Sequence, residues 1–178
     1  MKRALLVIDV QQALCTGPWA AFDIAGVIER INAVAAKARA AGAPVLWIQH
    51  EDDGPLRRGS EGWQLDGRLA VLADDIRLHK KATDSFHQTE LQALLRAHGI
   101  ERLIVCGLQS DFCVDSTIRR ALALGYPVDL VADAHSTVDN GILTAAQISA
   151  HHTATLANIE SFGVRVVPVR AAELRVEG

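Results

Sequence analysis

The chain has 178 residues, nearly half of them apolar, and a formal net charge of −3. That length suits one domain, 1–178, with a full-sized core. The absence of a basic run and the scarcity of aromatics exclude a nucleic-acid surface, and no apolar stretch approaches the ~20 residues of a membrane span.

The first predicted element is a strand, Ala4–Ile8, closed by Asp9. Lys2 and Arg3 before it mimic the start of a signal peptide, but the apolar run is too short. A Gly17-Pro18 loop carrying Cys15 and Trp19 follows. Ile24, Val27, Ile28, Ile31, Val34, Ala35 and Ala38 then fall on one face of a helix. Next comes the first of four segments with one grammar, a helix closed by glycine and followed by a β-rich run. The four glycines are Gly42, Gly99, Gly125 and Gly163. The runs include Val45–Ile48, Leu103–Cys106, Val128–Val131 and Val164–Val167. Glu51–Leu65 reads as a long irregular loop, a lid or an assembly surface. Ile76–His79 is a short strand, Leu91, Leu94 and Leu95 mark a helix face, and Thr144–Ser161 is a further helix.

Strands alternating with helices predict a three-layer α/β/α, Rossmann-like fold with a mostly parallel sheet of five or six strands. In such a sheet the carboxyl ends of the strands share one edge, where ligands bind. Asp9, Lys80 and Cys113 all follow strands at that edge. Cys113 lies in Gly107-Leu108-Gln109-Ser110-Asp111-Phe112-Cys113-Val114-Asp115-Ser116-Thr117, where a helix is expected to open at the cysteine. A thiol at a helix N-terminus is expected to have a lowered pKa.

A carboxylate, an ammonium and a thiol suit attack on an amide-type carbon. The carboxylate takes the thiol proton and returns it to the departing amine, the ammonium supports both, and backbone N–H groups receive the oxyanion. A thioester acyl-enzyme forms and is hydrolysed. Adjacent side chains on an extended segment point oppositely, so one of Lys80 and Lys81 enters the pocket; the spacing to Phe86 favours Lys80. Cys106 reads as core packing. Gln12, Cys15, Trp19, His50, Trp63 and Phe112 are substrate-binding candidates. Trp19, Trp47 and Trp63 stay open between pocket, interface and core. Trp63 and Leu65 in the long loop point to an interface and at least a homodimer. His151 and His152 read as packing or subunit contacts.

Several blocks in order resemble the isochorismatase-like cysteine hydrolase family, in its amidase branch. They are Leu6-Val7-Ile8-Asp9-Val10-Gln11, Lys80 through Ser85-Phe86 with Thr89 and Leu91, and Gly99-Ile100. Val105-Cys106-Gly107 through Cys113-Val114 to Thr117, Gly125-Tyr126 and Val131-Ala132-Asp133-Ala134 complete the series. The Gly107–Thr117 stretch is similar to that of a bacterial subgroup that includes streptothricin-hydrolase-like proteins. The resemblance implies an Asp9–Lys80–Cys113 triad, a cis peptide at Leu108–Gln109 and an oxyanion hole from the Gln109 and Cys113 backbone. It also implies homo-oligomers with pockets near subunit contacts.

Two departures guide the substrate class. The nicotinamidase branch carries an Asp-x-His-x-x-x-His metal site after the second strand, and here Gln49-His50-Glu51-Asp52-Asp53-Gly54 lacks the second histidine. Isochorismatases proper lack the nucleophilic cysteine, which is present here. The expectation is therefore a cofactor-free, metal-free hydrolase of a small-molecule amide, cytoplasmic given three cysteines without framework spacing. Its rivals are a metal-assisted amidase using His50 with Glu51, Asp52 and Asp53, and a redox-sensor thiol protein at Cys113. No second cysteine stands at Cys-x-x-Cys spacing to support the latter.

Overall fold

A computed structural model describes residues 1–176. In chain order its elements are β1 (Arg3–Ile8), α1 (Gln12–Cys15), α2 (Ile24–Ala40), β2 (Val45–His50), β3 (Ile76–Lys80) and α3 (Leu91–Ala97). They continue with β4 (Arg102–Leu108), α4 (Asp115–Ala123), β5 (Val128–Ser136), α5 (Ala145–Ala157) and β6 (Val166–Val169). The six strands form one sheet in the order β3-β2-β1-β4-β5-β6, with every neighbouring pair parallel.

Side-chain alternation along β1 builds the two halves of the core. Leu5 and Val7 face α2, whose Val27, Ile31 and Val34 pack on them, with Ala171 and Leu174 of the C-terminal segment. Ala4, Leu6 and Ile8 face the opposite layer, where Leu91, Leu95, Ile118, Leu122 and Leu156 of α3, α4 and α5 cover them. The strands are apolar on both faces because helices cover both faces. The sequence-predicted three-layer fold is observed, with six strands.

Gly42, Gly99, Gly125 and Gly163 all adopt positive φ, between 65° and 87°. Gly42, Gly99 and Gly125 end α2, α3 and α4 in the left-handed conformation that glycine adopts without steric cost, whereas Gly163 lies in a separate turn beyond the end of α5 at Ala157 and closes no helix.

Several boundaries differ from the sequence expectation. β4 runs two residues past Cys106, because Gly107 and Leu108 keep pairing with His135 and Ser136 of β5. β6 lies two residues later than Val164–Val167 and contains Pro168, which an edge strand tolerates. α5 is shorter than Thr144–Ser161; Thr144 is its N-cap and forms a capping box with Gln147. The irregular stretch after β2 extends to Asp75, beyond Leu65. Among the described residues no helix is long and apolar enough to cross a membrane.

Candidate active site

The strand order turns back on itself between β1 and β4. Ligands bind beyond the carboxyl ends of the strands at such a switch point. Asp9 leaves β1 there with φ of 51°, a left-handed backbone uncommon outside glycine. Its N–H donates to the Ile48 carbonyl at 2.9 Å, which holds the bend against β2. Gly107 lies opposite Ile8, and a Cβ there would come within 2.2 Å of the Ile8 carbonyl oxygen. Only glycine lets β1 and β4 close up beside the site.

Lys80 ends β3, and its side chain is fully buried. Its ammonium donates to Asp9 Oδ2 at 2.8 Å, to the Ala82 carbonyl at 3.0 Å and to His50 Nδ1 at 3.2 Å. Three protons meet three acceptors. With the ammonium donating, His50 Nδ1 is the acceptor in this contact. Lys81 points outward and lies 3.6 Å from Glu51. The alternation along β3 therefore brings Lys80, and not Lys81, into the site.

Cys113 does not open an α-helix as expected. It is the fourth residue of a wide helical turn, Ser110–Val114, that precedes α4. The Leu108–Gln109 peptide before this turn is cis. The expected lowering of the thiol pKa is also reversed, and Cys113 is pushed up to about 12. Burial is the main cause, and the neighbouring Asp9 charge adds to it; Lys80 acts in the opposite direction. The resting pair is thus a thiol beside a carboxylate. Among the described residues, buried Asp9 Oδ1 has no hydrogen-bond partner, while Oδ2 holds Lys80. A carboxylate with one oxygen anchored and one free, beside a protonated thiol, can act as a general base.

The other candidate residues separate. Asp9, His50 and Cys113 each place a ligand-type atom within 4.8 Å of the others, so His50 belongs to this cluster. The acids once grouped with it do not: Glu51 faces Lys81 and Arg58, and Asp52 Oδ1 accepts from the Gly54 and Leu56 N–H groups. Cys15 is buried against Asp66 and Arg68, and burial pushes its thiol up to about 12. Cys106 is wholly buried within β4, as expected for packing. Trp47 is core, its indole N–H donating to Asp75 at 2.8 Å. Trp19 and Phe112 are 73% and 53% exposed, Trp19 in the short helical turn Gly17–Trp19 and Phe112 in the turn Ser110–Val114.

Trp63 is not the exposed aromatic expected of the long loop. It is half-buried, its ring centroid 5.1 Å from that of His79. Its carbonyl accepts from Gln11 Nε2 at 2.8 Å and from Gln49 Nε2 at 2.9 Å. Gln11 also exchanges two hydrogen bonds with the His50 backbone, at 2.9 Å each. Gln12 makes none of these contacts; its N–H donates to the Gln64 carbonyl. Gln11 and Gln49 are wholly buried residues that sequence reasoning did not single out. Nothing in the periodicity distinguishes a buried glutamine from a solvated one. Two adjoining hollows of about 480 and 420 Å³ open beside Lys80 and His50 and share Glu51, Arg58 and Lys81.

Residues 3–170 match the isochorismatase domain family. Streptothricin hydrolase of Streptomyces noursei is 39% identical over 77% of the chain, which spans 50% of that relative's length. The ureidoacrylate amidohydrolase of Methylobacterium radiotolerans is 33% identical over 95% of the chain and 77% of its own length. A solved isochorismatase family protein superposes with a TM-score of 0.86 at 36% identity, covering 93% of this chain and 97% of the other.

Proposed function

The chain belongs to the isochorismatase family, and we propose that it is a cysteine-dependent hydrolase of a C–N bond in a small amide. The observation that carries this reading is the buried Asp9–Lys80 pair beside the Cys113 thiol, with Asp9 Oδ1 left free among the described residues. Asp9 takes the thiol proton as Sγ attacks the carbonyl carbon. The C–N bond breaks as Asp9 returns that proton to the leaving nitrogen. Water, deprotonated by Asp9, then cleaves the thioester. Lys80 holds Asp9 in place and stabilises sulfur as its charge develops. The Gln109 and Cys113 N–H groups are assigned to the oxyanion. The names of the two curated relatives, a hydrolase and an amidohydrolase, support the reaction class.

The hollows beside His50 and Lys80 carry charges of both signs, but neither is lined by Asp9 or Cys113, so they describe the surroundings of the site and not its substrate. A small-molecule substrate, a cytoplasmic location and at least a homodimer complete the proposal. The three free cysteines support the location. For assembly the support is no longer Trp63 but the exposed Trp19, Phe22, Phe112, Ile142 and Leu143.

The test is a library of small amides, read by amine or ammonia release, with Cys113→Ser as control. Release by the native protein that disappears in Cys113→Ser, together with a mass shift for the acyl-enzyme, is expected. Release that survives the substitution removes the reading. The Asp9, His50 and Cys113 cluster favours one second reading, a metal-assisted amidase. The Lys80 ammonium at its centre opposes a cation there, and loss of release on chelation would favour the metal. A redox-sensor role needs a resting thiolate, which the raised pKa opposes, whereas the hydrolase reading does not, because Asp9 takes the thiol proton during attack.

A further inference from the structure

Behind the nucleophile turn stands a buried histidine that takes no part in the chemistry above. His135 of β5 is almost wholly removed from solvent. The β4–β5 register shifts between Val105 and Gly107 and brings His135 opposite Gly107. Successive side chains from there alternate in direction. His135 reaches Ser110 Oγ through Nδ1 at 2.8 Å, and Thr137 donates to Asp111 at 2.6 Å. Ser136, between them, turns away to the Phe22 carbonyl. Two consecutive residues of the turn are thus tied to β5 and to Thr137, the residue that follows it.

The direction of each bond follows from counting protons. Thr153 Oγ1 donates to the Ser149 carbonyl at 2.8 Å. A hydroxyl has one proton, so Thr153 must accept from His135 Nε2, 2.9 Å away. Burial, with His152 nearby, holds the imidazole pKa down to about 4, so the ring is neutral near pH 7. With its one proton on Nε2, the ring accepts the Ser110 hydroxyl at Nδ1. Ser110 Oγ, its own proton used, accepts from Ser149 Oγ at 2.8 Å. The chain Ser149, Ser110, His135, Thr153 and back to the Ser149 carbonyl closes with every proton assigned.

The turn also has bonds of its own. Within it, one carbonyl, that of Gln109, is shared by the Phe112 and Val114 N–H groups at 3.1 and 3.2 Å. Bonds from outside add to this internal bonding in holding Cys113, three residues beyond Ser110, in place. We propose that His135 is a positioning residue for Cys113, its ring locked between Ser110 and Thr153 so that the sulfur faces Asp9. This rests on the reading of Cys113 as the nucleophile.

The experiment uses the full chain with Ser110→Ala, Ser110→Thr, Thr153→Val and Cys113→Ala. Its readouts are kcat and KM on an amide from the screen, and the iodoacetamide alkylation rate of Cys113 by peptide mapping. The third is the tautomer of His135 from its ring ¹⁵N shifts. Ser110→Ala and Thr153→Val are expected to lower kcat about tenfold with KM within about twofold, because geometry and not ground-state binding is lost. Both should change the alkylation rate of Cys113, Ser110→Thr should restore it, and the native ring should carry its proton on Nε2. Unchanged alkylation and kcat in both folded variants, a Ser110→Thr as defective as Ser110→Ala, or a ring protonated on Nδ1 would each overturn the proposal. Hydrolysis surviving Cys113→Ala would instead remove the nucleophile reading, while alkylation and the tautomer would still judge the positioning claim.

Discussion

Lys80 Nζ and Asp9 Oδ2 meet at 2.8 Å, 71 residues apart in sequence, with both side chains almost wholly removed from solvent. A buried ion pair is weak evidence of stabilisation, because desolvation offsets much of the attraction. Its effect here is local. It holds the Asp9 carboxyl group in place next to a thiol that burial keeps protonated.

The first expectation concerns that thiol. The Asp9 charge raises the Cys113 pKa, so Asp9→Asn should lower it and speed alkylation of Cys113 at pH 8. Amide hydrolysis should fall about 10²–10⁴-fold in the same variant through loss of the general base. Slower alkylation in Asp9→Asn would mean that the carboxylate activates the thiol at rest and does not hold it protonated.

Lys80 and Lys81 should behave as opposites. Lys80→Met leaves Asp9 buried without its partner and should cost about 3–5 kcal/mol in denaturant unfolding, along with activity. Lys81 is exposed and pairs with Glu51 only loosely, so Lys81→Met should leave both near native values. Equal effects of the two would contradict the register of β3.

Acid stability should report on His135. Its folded pKa is lowered from 6.5 to about 4, chiefly by burial and then by His152, with Asp133 opposing. Between those values the unfolded chain binds more protons than the folded one. Stability is therefore full above about pH 6.5 and is lost as pH falls toward 4. Thermal melts of the native chain should fall in that window. A folded His135→Leu should show a flatter limb, and an unaltered limb would place the acid sensitivity elsewhere.

Assembly can be weighed directly. Light scattering at micromolar concentration should give at least twice the chain mass of 19.2 kDa. Replacing Phe112 and Ile142 with serine should shift the population toward the monomer if these exposed side chains form the contact. A native mass equal to one chain would remove the proposal.

The sequence alone carried the layer architecture. Helix-ending glycines, helical periodicity and apolar runs are local signals, each set by backbone sterics or by the burial of one face. The same signals placed Asp9, Lys80 and Cys113 at one edge, because a parallel sheet gathers the carboxyl ends of its strands. What decided the chemistry was tertiary. A helix dipole acting on Cys113 was a fair local reading, but its thiol titrates according to burial and the nearby Asp9 charge, and the wide turn moved it away from the helix start. Trp63 has the local pattern of an exposed loop aromatic, but Gln11 and Gln49, distant in sequence, hold its carbonyl. His135 and Ser110 carry no periodic signature, since whether a polar side chain is solvated or locked in a closed set of hydrogen bonds depends on which distant residues surround it. Propensity and pattern act over a few residues; burial and electrostatics act through space, and only the folded chain defines that space.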